Sequence, residues 1–222
     1  MMLKILTVLL LCALGAPPAI AGAWLRDHKT VFTAIKTTVR GSKKVPLENE
    51  NSFYLEYGFT PFLTLGADFN EIRNKSAHAL VFARLPLGRS DRRTRYAVEL
   101  AAGTHRFQGN WHPMYKAAFA VGRGFQSRWG NGWIAAETAY EVRTGLPDPT
   151  IKLDAVAGLS SGWLVRPLLK IETAYVPDRP FGWSITPGVM FDIGESTWVI
   201  GLEHRSARKK TYGITFGLWR NF

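Results

Sequence analysis

The chain has 222 residues, of which 46% are hydrophobic and 13% aromatic, and its formal net charge is +11. This length suits one domain and leaves little room for a second. The only cysteine is Cys12, so the rest of the chain has no disulfide, no thiolate metal site and no cysteine nucleophile.

The first 21 residues have the features of a secretory signal peptide. Lys4 supplies a short basic region, residues 5–13 form an apolar run, and Ala19-Ile20-Ala21 is a small-x-small cleavage site. The apolar run is shorter than the roughly 20 residues that a transmembrane helix needs. We therefore expect cleavage after Ala21. Loss of these 21 residues leaves 201 of the 222, and the charge falls to +10 because Lys4 is removed.

Residues 30–221 divide into segments of alternating apolar and polar residues, separated by turn residues. A period of two predicts β-strands, because successive side chains of a strand point to opposite faces. Helical periodicity is almost absent. The predicted strands, whose number is about twelve, are Thr30–Arg40, Ser52–Thr60, Phe62–Asn70, Ala77–Leu87, Arg95–Phe107, Met114–Phe125, Gly132–Thr144, Thr150–Ser160, Leu164–Val176, Trp183–Ile193, Thr197–Arg205 and Thr211–Asn221.

The connections between these strands are predicted to alternate in length. Gly41–Asn51 and Ser206–Lys210 read as longer loops, whereas Ser160-Ser161-Gly162-Trp163 reads as a tight turn. Gly88–Thr94 is long and basic, although it falls where a short turn is expected. Short turns on one rim and longer loops on the other are typical of outer-membrane barrels.

One face of the predicted strands is apolar and the other carries charges of both signs. A charge that faces lipid at the membrane midplane costs roughly 2–4 kcal/mol, so the charged face must be wet or internally paired. The residues predicted to line a lumen are Lys36, Glu56, Asp68, Arg84, Glu99, Lys116, Glu137, Glu141, Lys152, Asp154, Arg166, Lys170, Glu172, Asp192 and Glu203.

The last predicted strand ends the chain on an aromatic residue, Phe222. Tyr212, Ile214, Phe216 and Leu218 share one face with it, while the opposite face carries Thr and Gly. This terminal strand resembles the assembly signal of bacterial outer-membrane β-barrels, although Arg220 stands where that signal usually has an apolar residue.

The resemblance implies an all-β fold, namely an up-and-down antiparallel transmembrane β-barrel formed by residues 22–222. It also implies an outer-membrane location, with the barrel assembly machinery, membrane lipid and lipopolysaccharide as partners. A soluble barrel turned inside out is disfavoured, because a closed barrel of about twelve strands is too wide for its own side chains to fill. A soluble two-sheet sandwich tolerates the alternation, but it does not explain the signal peptide and the terminal strand together.

Three functions fit this architecture. The first is a passive channel or binding barrel for small polar solutes, and the second is a structural barrel whose paired charges plug the lumen. The third is an acyl hydrolase: His204 and Ser206 lie two apart on one strand and resemble the His-x-Ser pair of outer-membrane phospholipases and lipid A deacylases. Ala207 follows the serine and no residue that would orient the histidine is evident, so an enzyme is the less favoured interpretation.

Basic residues are concentrated at the predicted rims. Lipopolysaccharide phosphates are the acidic groups that these residues would meet outside the cell, and a solvated loop without a partner is the alternative. The residues concerned are Lys43, Lys44, Arg208, Lys209 and Lys210. A secreted barrel excludes nucleic acid as a partner in spite of the basic charge. No metal site and no cofactor are predicted, because the histidines lack ligand spacing and no glycine-rich turn precedes a helix.

Overall fold

The computed structural model describes residues 22–88 and 93–222 and shows twelve β-strands in this part of the chain. The predicted signal peptide and residues 89–92 of the basic connection lie outside the described residues. The strands are β1 (Val31–Ser42), β2 (Val45–Thr60), β3 (Leu63–Ile72), β4 (Ser76–Leu87), β5 (Thr94–Phe107), β6 (Asn110–Ser127), β7 (Gly130–Arg143), β8 (Thr150–Leu159), β9 (Arg166–Ala174), β10 (Gly182–Ile193), β11 (Ser196–Ser206) and β12 (Lys210–Asn221).

Each strand pairs in antiparallel fashion with its neighbours in sequence, and β1 pairs with β12 to close the sheet. The seam runs from Phe32 opposite Asn221 to Gly41 opposite Tyr212. The predicted all-β, up-and-down antiparallel barrel of about twelve strands is therefore confirmed. Among the described residues, no helix is long and apolar enough to cross a membrane.

The barrel has two rims, which we name by the chain ends. The terminal rim holds the start of β1 and the end of β12, together with the connections β2–β3, β4–β5, β6–β7, β8–β9 and β10–β11. The distal rim holds the other six connections, including the β1–β2 turn at residues 43–44 and the β11–β12 turn at residues 207–209.

The prediction of a long loop at Gly41–Asn51 is wrong. β1 continues to Ser42 and β2 begins at Val45, so the two strands form a tight hairpin at the distal rim. Glu48 and Glu50 pair with Arg40 inside the barrel, and these ion pairs stabilise an extended strand where a loop is predicted. In contrast, the connection predicted to be tight at residues 160–163 extends from 160 to 165.

The strand registers place apolar side chains on the outer surface. Val81, Leu100 and Leu202 are 64–69% exposed although they are large and apolar, and their neighbours on the outer face are similar. Such a continuous apolar band is unusual for a surface in water and is typical of a barrel wall that contacts lipid.

Candidate functional site

All fifteen charged residues predicted to face a lumen lie on the inner side of the barrel wall. The registers carry this orientation from strand to strand, as Arg84 lies opposite Glu99 and Glu137 lies opposite Asp154. The inner face therefore holds many charges of both signs, and their pairing decides which parts of the lumen are filled.

One part of the lumen is packed with ion pairs on β2, β4 and β5. Glu56 is fully buried, pairs with both Arg84 and Arg26, and accepts a hydrogen bond of 2.8 Å from the Tyr54 hydroxyl. Arg84 also donates to Glu99 Oε2 at 2.6 Å. Because each buried charge has a partner, this cluster fills space without leaving an uncompensated ion.

The packed region continues onto β6 and β7 through one lysine. The Lys116 ammonium lies 3.0 Å from Glu99 Oε1 and 3.2 Å from Glu137 Oε1. Lys116 therefore joins the carboxylates of β5 and β7 across the inner face of β6, and the chain of ion pairs extends over several adjacent strands.

A second cluster surrounds Arg40 near the distal rim. The guanidinium is 3% exposed and contacts three carboxylates, with Nε 2.7 Å from Glu203 Oε1, Nη1 3.0 Å from Glu48 Oε1, and Nη2 paired with Glu50. Asn70 donates a further hydrogen bond of 2.8 Å to Glu50. These contacts fill the lumen beside β1, β2 and β11.

The wall formed by β8 and β9 is more open. The Lys170 ammonium lies 2.6 Å from Glu172, yet 37% and 33% of these two side chains remain accessible. Lys152 pairs with Glu141 at 2.7 Å and is 29% accessible. Asp154 is adjacent to Glu172 on the neighbouring strand. Charged groups that face inward and stay accessible indicate space in the lumen along this side.

The chain segment before β1 runs inside the barrel. Ala23 is 2% exposed and Arg26 is 7% exposed, and Trp24 packs against apolar side chains of the inner face. The segment is short and has no periodic pattern, so the sequence does not predict its position inside the barrel.

The predicted hydrolase pair lies on the outer face near the distal rim. The His204 ring stacks on Tyr212 with centroids 4.7 Å apart and meets the Trp183 ring edge-on at 5.1 Å. Its Nε2 atom is buried and has no hydrogen-bond partner among the described residues. No hydrogen bond joins His204 to Ser206 within this described region, so the histidine is held as an aromatic packing element rather than as a base beside the hydroxyl.

The five rim cations predicted to contact lipopolysaccharide are all exposed. Lys43 and Lys44 form the β1–β2 turn, Arg208 and Lys209 lie in the β11–β12 turn, and Lys210 is the first residue of β12. Because β1 and β12 are paired, these turns are neighbours on the distal rim.

Several inner-face residues were missed by the sequence prediction. They are Arg26, Arg40, Glu48, Glu50, Arg143 and Arg205. Strand parity could have identified three of them, since Arg40 shares a face with Lys36, Arg143 with Glu141, and Arg205 with Glu203. Within residues 22–88 and 93–222, no group of three or more His, Cys, Asp and Glu side chains could hold a metal ion.

Comparison with known proteins gives likeness in structure only. No protein-family model matches the sequence, and no curated protein matches it. The NanC porin superposes with a TM-score of 0.60 at 9% identity, covering 84% of this chain and 98% of that chain. The KdgM porin gives a TM-score of 0.58 at 8% identity, covering 85% and 99%. An outer membrane channel from Pseudomonas putida F1 gives 0.56 at 9% identity, covering 94% and 100%.

These identities are too low to transfer a function or a site residue. The superpositions extend over nearly the whole of each compared chain. The chain therefore has the fold of the bacterial outer-membrane β-barrels.

Proposed function

We propose that this protein is a passive channel for small polar solutes. The observation that supports this proposal is a difference in side-chain burial between two sides of the lumen. Glu56 and Arg84 are almost completely buried on one side, whereas Lys152, Lys170 and Glu172 keep about a third of their side chains accessible on the other. A wet, charged strip along β8 and β9 suits polar solutes, whereas a structural plug would have all its charges buried and paired.

The proposed setting is the bacterial outer membrane. The apolar outer face and the closed barrel support this location, because a closed sheet leaves no edge unpaired in lipid. The terminal rim would face the periplasm and the distal rim would face the outside of the cell, as in outer-membrane barrels whose two chain ends are both in the periplasm. Residues 1–21 would direct secretion and would be removed after Ala21 during export.

The open strip carries charges of both signs, which favours polar solutes over strongly ion-selective transport. Lys36, Lys152 and Lys170 all interact electrostatically with Glu172, and Lys152 and Lys170 also interact with Asp154. A solved structure of the KdgM porin holds a disordered oligogalacturonate. That precedent supports hydroxyl-rich and acidic solutes as the class to test first, since lysine ammonium groups bind carboxylates and also donate to hydroxyls.

The proposal is tested by solute uptake into liposomes that contain the refolded protein. We expect swelling in small neutral sugars and slower swelling as sugar size increases. Replacement of Lys36, Lys152 and Lys170 by Gln should slow the uptake of a uronic acid relative to a neutral sugar. The matched control replaces Lys43, Lys44 and Lys209 by Gln, which changes the charge equally at the exposed rim. Liposomes that behave like protein-free liposomes in every sugar would contradict the channel.

Lipid and assembly partners belong to the same proposal. Lys43, Lys44, Arg208, Lys209 and Lys210 would bind lipopolysaccharide phosphates, because charge-assisted hydrogen bonds are stronger than neutral ones. The terminal strand that ends at Phe222 would be recognised by the barrel assembly machinery. No cofactor, metal or nucleic acid is part of the proposed activity.

A further inference from the structure

The segment of residues 22–27 contacts both sides of the barrel interior. We infer that it is an internal constriction that limits the conductance of the channel, with Trp24 as its main obstructing side chain. This inference rests on the proposed channel function and concerns the control of that same passage.

The segment has a polar anchor on β1, β2 and β3. The Arg26 backbone N–H donates to Thr64 Oγ1 at 2.9 Å, and its side chain pairs with Glu56. The guanidinium also lies over the Phe32 ring, 4.1 Å from the centroid. Three adjacent strands therefore hold Arg26, and the buried ion pair makes its displacement costly.

Backbone contact fixes the next residues at the same wall. The Lys29 N–H donates to the Gly58 carbonyl at 2.8 Å. A Cβ placed on Gly58 would lie 1.9 Å from the Asp27 carbonyl oxygen, so the close approach requires glycine at this position. The inner face of β2 is thus shaped to receive the segment.

The segment has an apolar anchor on the far side. Trp24 packs against the buried cluster of Trp133, Leu168, Met190 and Val199, which lie on β7, β9, β10 and β11. A Cβ on the inner-face residue Gly122 would lie 2.1 Å from the Trp24 ring. The indole therefore occupies space that a side chain on β6 would otherwise fill.

The two anchors lie on nearly opposite walls. β2 and β7 are close to half-way apart around the ring, so a chain that contacts both must cross the lumen. The anchoring residues Phe32, Thr64 and Trp133 lie near the terminal-rim ends of their strands. The crossing therefore narrows the passage near the terminal rim, while the open strip along β8 and β9 lies between this crossing and the distal rim.

The position of the segment is tested by an engineered disulfide. A Cβ on Gly22 would lie 3.4 Å from the Ala120 Cβ, close to the usual disulfide separation of about 3.5–4.5 Å. Gly22 has a φ of 102°, so its replacement strains the backbone locally. The pair Gly22→Cys and Ala120→Cys should nevertheless oxidise to an intramolecular bridge in the refolded mature chain, which has no other cysteine. The control pair, Gly22→Cys and Val142→Cys, places the second thiol on the outer face and should stay reduced.

The effect on the passage is tested by single-channel recording of the parent and the Trp24→Ala variant. We expect the variant to conduct about twofold more, because conductance follows the narrowest section of the pore. Trp111→Ala is the matched control, since that indole is exposed on the outer face near the distal rim and should leave conductance unchanged. Faster migration of unheated protein on gels checks that each variant is folded.

The outcomes separate this inference from the proposed channel. Conductance steps of equal size from the parent and a folded Trp24→Ala barrel would overturn the constriction but would still agree with the proposed channel. If the parent protein shows no conductance and the Trp24→Ala variant conducts, the constriction is supported and passive permeation by the parent is contradicted. Absence of conductance in both proteins would overturn both proposals. Failure of the Gly22→Cys and Ala120→Cys pair to form a disulfide would overturn the placement of the segment.

Discussion

Arg40 and Glu203 form an ion pair across an intervening strand. Arg40 lies on β1 and Glu203 on β11, and both are in register with Gly213 of β12, which separates them. Arg40 Nε is 2.7 Å from Glu203 Oε1 above this glycine. A Cβ on Gly213 would lie 2.8 Å from the Arg40 Cβ, so the missing side chain makes room for the pair. The contact joins three strands at the seam where the barrel closes.

Loss of one partner of this pair should destabilise the barrel. Arg40→Gln leaves carboxylates buried without their counter-ion, and breaking a buried pair typically costs about 3–5 kcal/mol. Glu203→Gln should cost less, because Arg40 keeps Glu48 and Glu50. Thermal unfolding in detergent, followed by the shift between folded and unfolded gel mobility, measures both variants and the double variant.

A glycine substitution provides a second test of the Arg40–Glu203 pair. Gly213→Val should displace Arg40 and lower the unfolding temperature. Gly124→Ala is the control, since the atom nearest to a Cβ there is 3.9 Å away. Additive effects of Arg40→Gln and Glu203→Gln, together with a stable Gly213→Val barrel, would show that the seam does not depend on the pair.

The sequence predicts most of the fold because lipid and lumen impose a strict period of two. Twelve strands and their two faces follow from alternation alone, and so does the inward orientation of residues such as Lys116 and Glu172. The Glu48–Glu50 segment was mispredicted because its charges could pair with solvent or with Arg40, and only the tertiary structure distinguishes these. The position of residues 22–27 was not predicted for the same reason, since no local sequence pattern indicates that an irregular segment enters a barrel.

Deletion of Phe222 should reduce the amount of assembled barrel. Its backbone exchanges two hydrogen bonds with Val31, of 2.9 and 3.1 Å, and so extends the β1–β12 seam. The ring is 63% exposed, and the Arg220 guanidinium lies 4.7 Å from its centroid. Each backbone hydrogen bond contributes about 1 kcal/mol, and the assembly signal would be lost as well. Phe222→Tyr should assemble normally. Outer-membrane levels that are equal for the deletion and the parent would remove Phe222 from this role.

The refolded protein should not hydrolyse phospholipid or lipid A. His204 lies between the Tyr212 and Trp183 rings, and a general base must instead reach the hydroxyl proton during attack. Ser206→Ala should leave both the fold and the channel unchanged, and His204→Phe should keep the ring contacts and the stability. Hydrolysis by the parent that disappears in Ser206→Ala would establish the acyl hydrolase in place of this account.

Replacement of Lys43, Lys44, Arg208, Lys209 and Lys210 by Gln should weaken the retention of lipopolysaccharide during purification. These cations share one rim, and phosphate binding by charge-assisted hydrogen bonds depends on their number. The control replaces Arg93, Arg128 and Arg220 by Gln at the terminal rim. Quantification of bound lipopolysaccharide measures the effect. Equal amounts on the parent and the five-residue variant would mean that these turns are only solvated.

The most direct test of the channel is single-channel recording of the refolded parent protein in a planar bilayer. An open strip beside Lys170 and Glu172 predicts discrete conductance steps with weak preference between cations and anions, because both signs line the passage. The protein added must first show the gel mobility shift of a folded barrel. Absence of any step at amounts of folded protein that insert into the bilayer would contradict the account.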